Sequence, residues 1–193
     1  MQKPAETAVP IHPLLANRWS PRAYDENHNL SDAEVLAILE AGRWAPSSNN
    51  GQPWAFSVAR REDALFRIIS ESALSGFNAA WAPRASAYFV ISTTVLNAEG
   101  NPYKPAPFDA GLAAMSMVLQ AEALGLATHQ IGGFKADELA AALELEGKNL
   151  APTIIITVGK AANPEILEGG ALEREIGPRS RKALDEVVIH GLP

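Results

Sequence analysis

Arginine and serine side chains are concentrated in two short segments near opposite ends of the chain. Residues 18–22 read Arg-Trp-Ser-Pro-Arg, and residues 177–182 read Gly-Pro-Arg-Ser-Arg-Lys. Guanidinium groups beside a hydroxyl can hold a phosphate through charge-assisted hydrogen bonds. Each segment alone is more typical of a solvated basic turn. Because the termini of compact domains often lie close together, the two segments could also converge on one anion.

Two further segments combine polar or glycine residues in a way that suits a flat ligand. Residues 46–54, Pro-Ser-Ser-Asn-Asn-Gly-Gln-Pro-Trp, carry short side chains that could read the edge of a heteroaromatic ring. Residues 129–134, His-Gln-Ile-Gly-Gly-Phe, would let the backbone approach such a ring closely. Ordinary turns explain both segments equally well. We expect Trp54 to belong to the core, and His129 to position its turn rather than transfer protons.

Composition and missing motifs exclude several classes of function. The 193 residues include no cysteine and carry a formal net charge of -6. Thiolate chemistry is therefore excluded, and binding to nucleic acid or to an anionic membrane surface is disfavoured. No G-x-G-x-x-G, P-loop or G-x-S-x-G motif is present, and the histidines show no metal-ligand spacing, so we predict no metal site. No signal peptide or membrane-spanning run is recognised, which makes the cytoplasm the expected location.

The elements that must position these segments follow from hydrophobic periodicity. We expect residues 1–13 to form a flexible arm and residues 14–193 to form a single domain. Ser31 and Glu34 have capping-box spacing, which predicts a helix that begins at Asp32 and is bounded by Pro46. The pattern predicts further helices at residues 62–73, 110–124 and 136–145, and strands at residues 55–59, 87–92 and 153–158. Because the strands are few and unevenly spaced, we favour an α+β layer over a regular βαβ array.

The helix predicted at residues 110–124 is apolar on nearly every face. A helix of this kind must be covered on all sides, which either a central position in the domain or a partner subunit could achieve. Gly125 supplies a natural end for the helix.

Four motifs in register resemble the FMN-dependent nitroreductase family. They are Asn-Arg-Trp-Ser-Pro-Arg, Pro-Ser-Ser-Asn-Asn-Gly-Gln-Pro-Trp, Leu-Gly-Leu-Ala-Thr-His-Gln-Ile-Gly-Gly-Phe and Pro-Arg-Ser-Arg-Lys-Ala-Leu, within residues 14–191. The resemblance implies a three-layer α/β/α sandwich with a central, mostly antiparallel sheet. It also implies an intertwined homodimer that binds two FMN molecules between its subunits, which would explain the apolar helix.

The resemblance also implies which residues contact FMN. It assigns Arg18, Ser20, Arg179 and Arg181 to the FMN phosphate. It places Trp19 beside the ring system and Arg22 at the N1/O2 edge of the ring. From the partner subunit it assigns Pro46, Ser47, Ser48, Asn50 and Gln52. Around the pyrimidine edge and N5 it assigns Asn78, Ile131, Gly132 and Gly133.

The implied activity is ping-pong hydride transfer from NADH or NADPH through flavin N5 to a nitroaromatic or quinone acceptor. No catalytic side chain is required, because the flavin supplies the chemistry. The same fold could instead serve a reductive dehalogenase, an enone reductase or a flavin-fragmenting oxygenase, or could only bind and sequester flavin. Trp81 stands where some members of the family carry a lysine, and Arg179 replaces another lysine with charge retained. The first departure argues against transferring any one member's redox potential to this chain.

Overall fold

The computed structural model describes residues 2–192. Its helices are α1 (Pro13–Asn17), α2 (Asp32–Arg43), α3 (Ala64–Ile68), α4 (Gly76–Ala79), α5 (Ala106–Ala123), α6 (Ala136–Ala142), α7 (Gly169–Ile176) and α8 (Leu184–Val187). Its strands are β1 (Trp54–Arg60), β2 (Ala87–Thr94), β3 (Ala127–Ile131) and β4 (Leu150–Gly159).

The four strands form one sheet in the order β1-β2-β4-β3, and every neighbouring pair is antiparallel. Phe89, in the middle of β2, is paired with Val58 on one side and with Ile156 on the other. The ladder between β2 and β4 slips at Ile91 and Ser92, where the register shifts.

Helices cover both faces of the sheet because successive strand residues point to opposite faces. Phe89 and Ile91 of β2 belong to the core that the sheet forms with α2 and α5. Tyr88 and Val90 belong to the opposite core, which contains Trp81 and residues of α3, α6 and α7. This is the three-layer α+β sandwich that the resemblance implied.

Local sequence signals predicted the two long helices, α2 and α5. Helix α2 begins at Asp32, where the Ser31 side chain accepts a hydrogen bond from the Glu34 backbone N–H and the Glu34 carboxylate accepts one from the Ser31 backbone. Helix α5 is longer than predicted, since Pro105 and Ala106 start it four residues earlier than residue 110. Gly125, with a left-handed φ of 73°, follows its C-terminus.

The structure corrects the bounds of two predicted helices and adds one strand. The helix predicted at residues 62–73 begins at Ala64 and continues past Ile68 as a π-helical turn. Helix α6 ends at Ala142 instead of residue 145, whereas α2 ends at Arg43 and so is bounded by Pro46 as predicted. The remaining correction concerns residues 127–131, which form strand β3 rather than part of a glycine turn.

The N-terminal residues pack against the rest of the chain at specific points. The Ala5 backbone N–H donates to the Ala16 carbonyl at 2.8 Å, and the Lys3 ammonium donates to the Glu175 carbonyl at 2.7 Å. Across residues 2–192, no helix combines the length and the apolar character that crossing a membrane requires.

Candidate functional site

The two arginine-rich segments meet in one cavity of about 300 Å³. The cavity is lined by Lys3, Arg18, Trp19, Ser20, Arg22, Arg174, Pro178, Arg179, Ser180 and Arg181. The convergence of the two segments is therefore confirmed. The lining contains six cationic side chains and, within the described residues 2–192, no carboxylate side chain. Such a cavity is suited to an anion.

Arg179 spends much of its hydrogen-bonding capacity on the protein itself. Its Nη1 donates to the carbonyls of Lys3 and Ala16, the latter at 3.0 Å, and its Nη2 donates to the carbonyl of Arg18 at 3.0 Å. The guanidinium thus ties the C-terminal segment to the N-terminal one. Burial, followed by the charges of Arg18 and Arg181, lowers the pKa of Arg179.

Arg18 and Arg181 keep more of their donors for a ligand. Arg18 makes one long side-chain hydrogen bond, from Nη1 to Ser20 Oγ at 3.4 Å, and Arg181 donates to the carbonyl of Ser180 at 2.7 Å. Burial and the charge of Arg181 lower the pKa of Arg18, so its cation gains from a bound anion.

Lys3, to which sequence reasoning assigned no chemistry, contributes another cation to this cavity. Its ammonium lies 4.6 Å from the centroid of the Trp19 ring and donates to the carbonyls of Glu175 and Gly177. Burial lowers the pKa of Lys3, and the Glu175 carboxylate opposes that effect. No local pattern marks Lys3, because its partners are about 170 residues away in the chain.

Arg22 is fixed through its backbone by a buried glutamate. The Glu175 carboxylate, 1% exposed, accepts hydrogen bonds from the backbone N–H groups of Arg22 at 2.8 Å and Ala23 at 3.2 Å. The Arg22 guanidinium lies 5.5 Å from the Phe77 ring centroid and 5.8 Å from that of Trp81. Its buried Nε has no hydrogen-bond partner within residues 2–192, and the same is true of Trp81 Nε1.

His129, on β3, holds the Arg18–Arg22 segment from the other side. Its Nδ1 lies 3.1 Å from the Pro21 carbonyl, and because a carbonyl only accepts, Nδ1 carries the proton. Burial, with the charge of Arg22 adding to it, lowers the pKa of His129 to about 4. The ring is therefore neutral at pH 7, packed 4.5 Å from Trp81 between centroids. This agrees with a positioning role.

The end of β3 leads into an exposed glycine pair. Ile131 is buried, whereas Gly132 and Gly133 are exposed, and the Asn78 amide donates to the Gly133 carbonyl at 3.2 Å. Gly132 does not have a left-handed φ, and a Cβ added there would meet no atom within 4 Å. Neither the backbone conformation nor the packing of this chain requires glycine at residue 132.

The polar segment at residues 46–52 lies elsewhere. Its backbone is unusual, since Asn49, Asn50 and Gln52 all have positive φ values, of 50°, 55° and 46°. The Ser48 N–H donates to the Asp109 carboxylate near the start of α5, and the Gln52 N–H donates to Ser47 Oγ. Pro46 and most of the segment are exposed.

Helix α5 separates this segment from the cationic cavity. Asp109 near the N-terminal end of α5 holds Ser48, whereas Glu122 near the C-terminal end interacts electrostatically with Arg18. At 1.5 Å per residue, these ends are about 20 Å apart. The chain thus brings the predicted phosphate residues and Arg22 together in one cavity, and Asn78 contacts Gly133 next to Phe77. It does not bring residues 46–52 to them.

Three residues that sequence reasoning did not select belong to the cavity or support it: Lys3, Arg174 and Glu175. Arg174 and Glu175 lie on α7, which begins with two glycines and has a weak intrinsic preference for helix. Arg174 lies only three positions before Gly177, so the sequence could have indicated that the arginine-rich segment begins at residue 174.

Comparison with known proteins identifies the family and the fold of this chain. A family model described as the nitroreductase family matches residues 15–90 and 73–160. A solved oxidoreductase containing FMN has a TM-score of 0.88 and 31% identity, covering 97% of this chain and 94% of that one. A solved protein of Desulfovibrio desulfuricans, provisionally named a nitroreductase and in complex with FMN, has a TM-score of 0.72 and 26% identity, covering 95% and 99%.

Among curated proteins, YdgI of Bacillus subtilis, provisionally named an NAD(P)H nitroreductase, is 26% identical over an alignment of 186 residues that covers 78% of this chain and 88% of YdgI. Since the family model spans more than half of the sequence and the fold agrees, this chain belongs to the nitroreductase family.

Proposed function

We propose that this chain is an FMN-dependent NAD(P)H oxidoreductase that reduces nitroaromatic or quinone acceptors. The observation that carries the proposal is the cavity lined by six cationic side chains and, among residues 2–192, by no carboxylate side chain. The solved relatives that contain FMN support the choice of cofactor.

The phosphate end of the site would be formed by Arg18, Ser20 and Arg181. Arg18 and Arg181 commit fewer donors to the protein than Arg179 does, and all three residues line the cavity with Trp19. Arg179, with three donors on backbone carbonyls, would mainly hold this end in shape and add positive charge.

The ring end would be formed by Arg22, Asn78, Gly132 and Gly133. The buried Arg22 Nε without a protein partner fits a flavin edge rich in acceptors, and the bare Gly132 backbone fits close approach of a flat ring. When bound, FMN supplies the redox chemistry by accepting a hydride and passing electrons on. The protein residues bind and orient both substrates. Arg22 stabilises negative charge at the edge of the flavin ring.

A second copy of the chain would complete the site. Phe108 and Met115 of α5, which are 71% and 39% exposed, form an apolar stripe with the half-buried Leu112 and Leu119. A two-fold axis across this stripe would make the two α5 helices antiparallel. Residues 46–52 at the start of one α5 would then face the cationic cavity at the end of the other. The intertwined homodimer is proposed on this basis.

The test is an anaerobic titration of the FMN-loaded protein with NADH and then NADPH, followed through the visible flavin absorbance. We expect stoichiometric bleaching that is reversed by a quinone and by a nitroaromatic. Bound flavin that stays oxidised with both nicotinamides would favour a flavin-binding protein instead. Absence of FMN binding would contradict the assignment of the cofactor.

The class of acceptor that reoxidises the bleached flavin would define the second half-reaction. Activated halides and enones in the same assay separate the nitroreductase activity from a reductive dehalogenase or an enone reductase. Faster reversal by either of those than by the nitroaromatic or the quinone would overturn the proposed acceptor class.

A further inference from the structure

Two guanidinium groups share one aromatic ring at the ring end of the cavity. Arg174 of α7 has its Cζ 4.4 Å from the Phe77 ring centroid, and Arg22 has its Cζ 5.5 Å from the same centroid. The ring supplies a face to which both cations are attracted. It also holds Arg174 in a defined place although its side chain is exposed.

Neither cation of this pair forms an ion pair within residues 2–192, although the nearby Glu175 carboxylate partly offsets the charge of Arg22. Within residues 2–192, the three ion pairs are Arg43–Glu40, Arg60–Asp32 and Arg84–Glu26, so neither Arg22 nor Arg174 takes part in one. Glu175 is the acid beneath them, and its carboxylate oxygens accept from the backbone of Arg22 and Ala23. Two like charges placed together with solvent access are stabilised by an anion.

A single cofactor phosphate does not account for all of the cations. Arg18, Arg179 and Arg181 influence one another electrostatically and form the phosphate cluster, whereas Arg174 interacts with Arg22. If Arg22 faces the flavin edge, Arg174 is the remaining cation at this end. It lines the same cavity, and its side chain is exposed to solvent.

The position of Phe77 connects Arg174 to the reacting end of the site. Phe77 is adjacent to Asn78, whose amide donates to the Gly133 carbonyl. A Cβ built on Gly170, at the start of α7, would lie 3.7 Å from Phe77. The α7 residues thus form one wall beside the glycine pair where a second substrate would enter.

We propose that Arg174 binds an anionic group, a carboxylate or a phosphate, of the substrate that docks over the cofactor. The inference rests on the proposed function and names a substrate class for the same site. The anionic group would belong either to the electron acceptor or to NADPH, whose ribose carries an extra phosphate. Arg174 is then a residue that determines specificity, and no catalytic step is assigned to it.

Binding is tested first without turnover. Calorimetry measures the dissociation constants of benzoate and of neutral benzamide for the oxidised, FMN-loaded protein, in which FMN fills the phosphate cluster. We expect benzoate to bind the parent at least about tenfold more tightly than benzamide, and Arg174→Gln to remove that preference. Arg174→Lys should restore part of it, and benzamide should be unaffected.

The matched control is Arg67→Gln. Arg67 is an exposed arginine on α3 that does not line the cationic cavity. Its replacement changes the net charge by the same amount as Arg174→Gln. Its affinity for benzoate should equal that of the parent. If Arg174→Gln and Arg67→Gln bind benzoate equally well, the acceptor carboxylate is excluded as the ligand of Arg174.

Kinetics then distinguish the two sources of the anion. The acceptors are 4-nitrobenzoate, which carries a carboxylate, and neutral 4-nitrobenzyl alcohol. If Arg174 contacts the acceptor, Arg174→Gln raises KM for 4-nitrobenzoate and leaves KM for 4-nitrobenzyl alcohol unchanged. A contact with NADPH raises KM for NADPH and leaves KM for NADH unchanged. If neither KM nor benzoate affinity changes, the inference is overturned.

Failure of the inference is distinguishable from failure of the proposed function. The calorimetric experiment needs only oxidised, FMN-loaded protein, so it reports on Arg174 even if neither nicotinamide reduces the flavin. Conversely, rapid flavin reduction with unchanged anion selectivity in Arg174→Gln would retain the proposed function and reject the role of Arg174.

Discussion

At the scale of single residues, Arg22 is the side chain whose charge should matter most to the bound cofactor. Its backbone is held by Glu175, its guanidinium lies near Phe77 and Trp81, and its Nε has no partner within residues 2–192. Trp81 brings no charge of its own. In the proposed binding mode, Arg22 would therefore be the main cation on this side of the flavin ring.

We predict that Arg22→Ala makes the reduction potential of bound FMN more negative. Loss of a charged hydrogen bond of about 1.5 to 3 kcal/mol corresponds to a two-electron shift of about 30 to 60 mV. Spectroelectrochemical titration of the FMN-loaded variant measures it, with Arg67→Ala as control. An unchanged potential would show that Arg22 does not stabilise the reduced flavin.

His129 makes a second residue-scale prediction, which concerns pH. Its pKa falls from 6.5 to about 4 on folding, mainly through burial. The unfolded chain therefore binds the proton more readily between these values, and stability declines as the pH falls from about 6.5 to about 4. The shift corresponds to a contribution of about 3 kcal/mol.

The measurement is urea unfolding of the parent and of His129→Gln at pH 7 and pH 5. The parent should lose more stability on acidification than the variant. His190→Gln, which replaces an exposed histidine, is the control and should behave like the parent. Equal pH dependence in the parent and His129→Gln would contradict the assignment of a neutral, buried ring.

At the scale of elements, helix α7 acts as a brace for the Arg18–Arg22 segment. Its Glu175 provides the acceptor for two backbone N–H groups of that segment, and its Arg174 contacts Phe77. The two glycines that start α7 disfavour a helix, so tertiary contacts must stabilise it.

Glu175→Ala should reduce the free energy of unfolding by about 2 to 4 kcal/mol, because two buried N–H groups lose their acceptor. Glu173→Ala, at an exposed site on the same helix, should change stability little. Urea denaturation compares the three proteins. Similar urea midpoints for Glu175→Ala and Glu173→Ala would contradict this prediction. They would show that water replaces the Glu175 carboxylate without loss of unfolding free energy.

At the scale of the whole molecule, α5 connects the two parts of the proposed site. It buries one face on the sheet and α2, and it exposes the stripe that includes Phe108 and Met115. Asp109 near its N-terminal end accepts a hydrogen bond from Ser48 of residues 46–52, and Glu122 near its C-terminal end interacts electrostatically with Arg18. Assembly through this stripe would therefore complete the site and cover the apolar helix together.

Met115→Glu should weaken or abolish the dimer, because a charge would enter an apolar interface. We expect a monomer in sedimentation velocity and weaker FMN binding. Ile68→Glu, which changes an apolar side chain of similar exposure on α3, should remain dimeric. A Met115→Glu protein that stays dimeric would place the interface elsewhere.

Local pattern was sufficient for most of the fold. The Ser31–Glu34 capping box, the buried β-branched run of β4 and the apolar α5 are all encoded by neighbouring residues, and the family motifs add the three-layer order. Strand β3 was missed because five residues at a sheet edge, beside two glycines, carry little periodic signal.

The sequence by itself determined the residue types available to an anionic, flat cofactor and the elements on which they lie. Only the tertiary structure decided that Arg179 donates to the backbone, that Lys3 enters the cavity, and that Arg174 shares Phe77 with Arg22. These contacts join residues far apart in the chain, and their geometry depends on how the layers pack. Local propensity contains no information about such distances, because they are fixed by the packing of the whole chain.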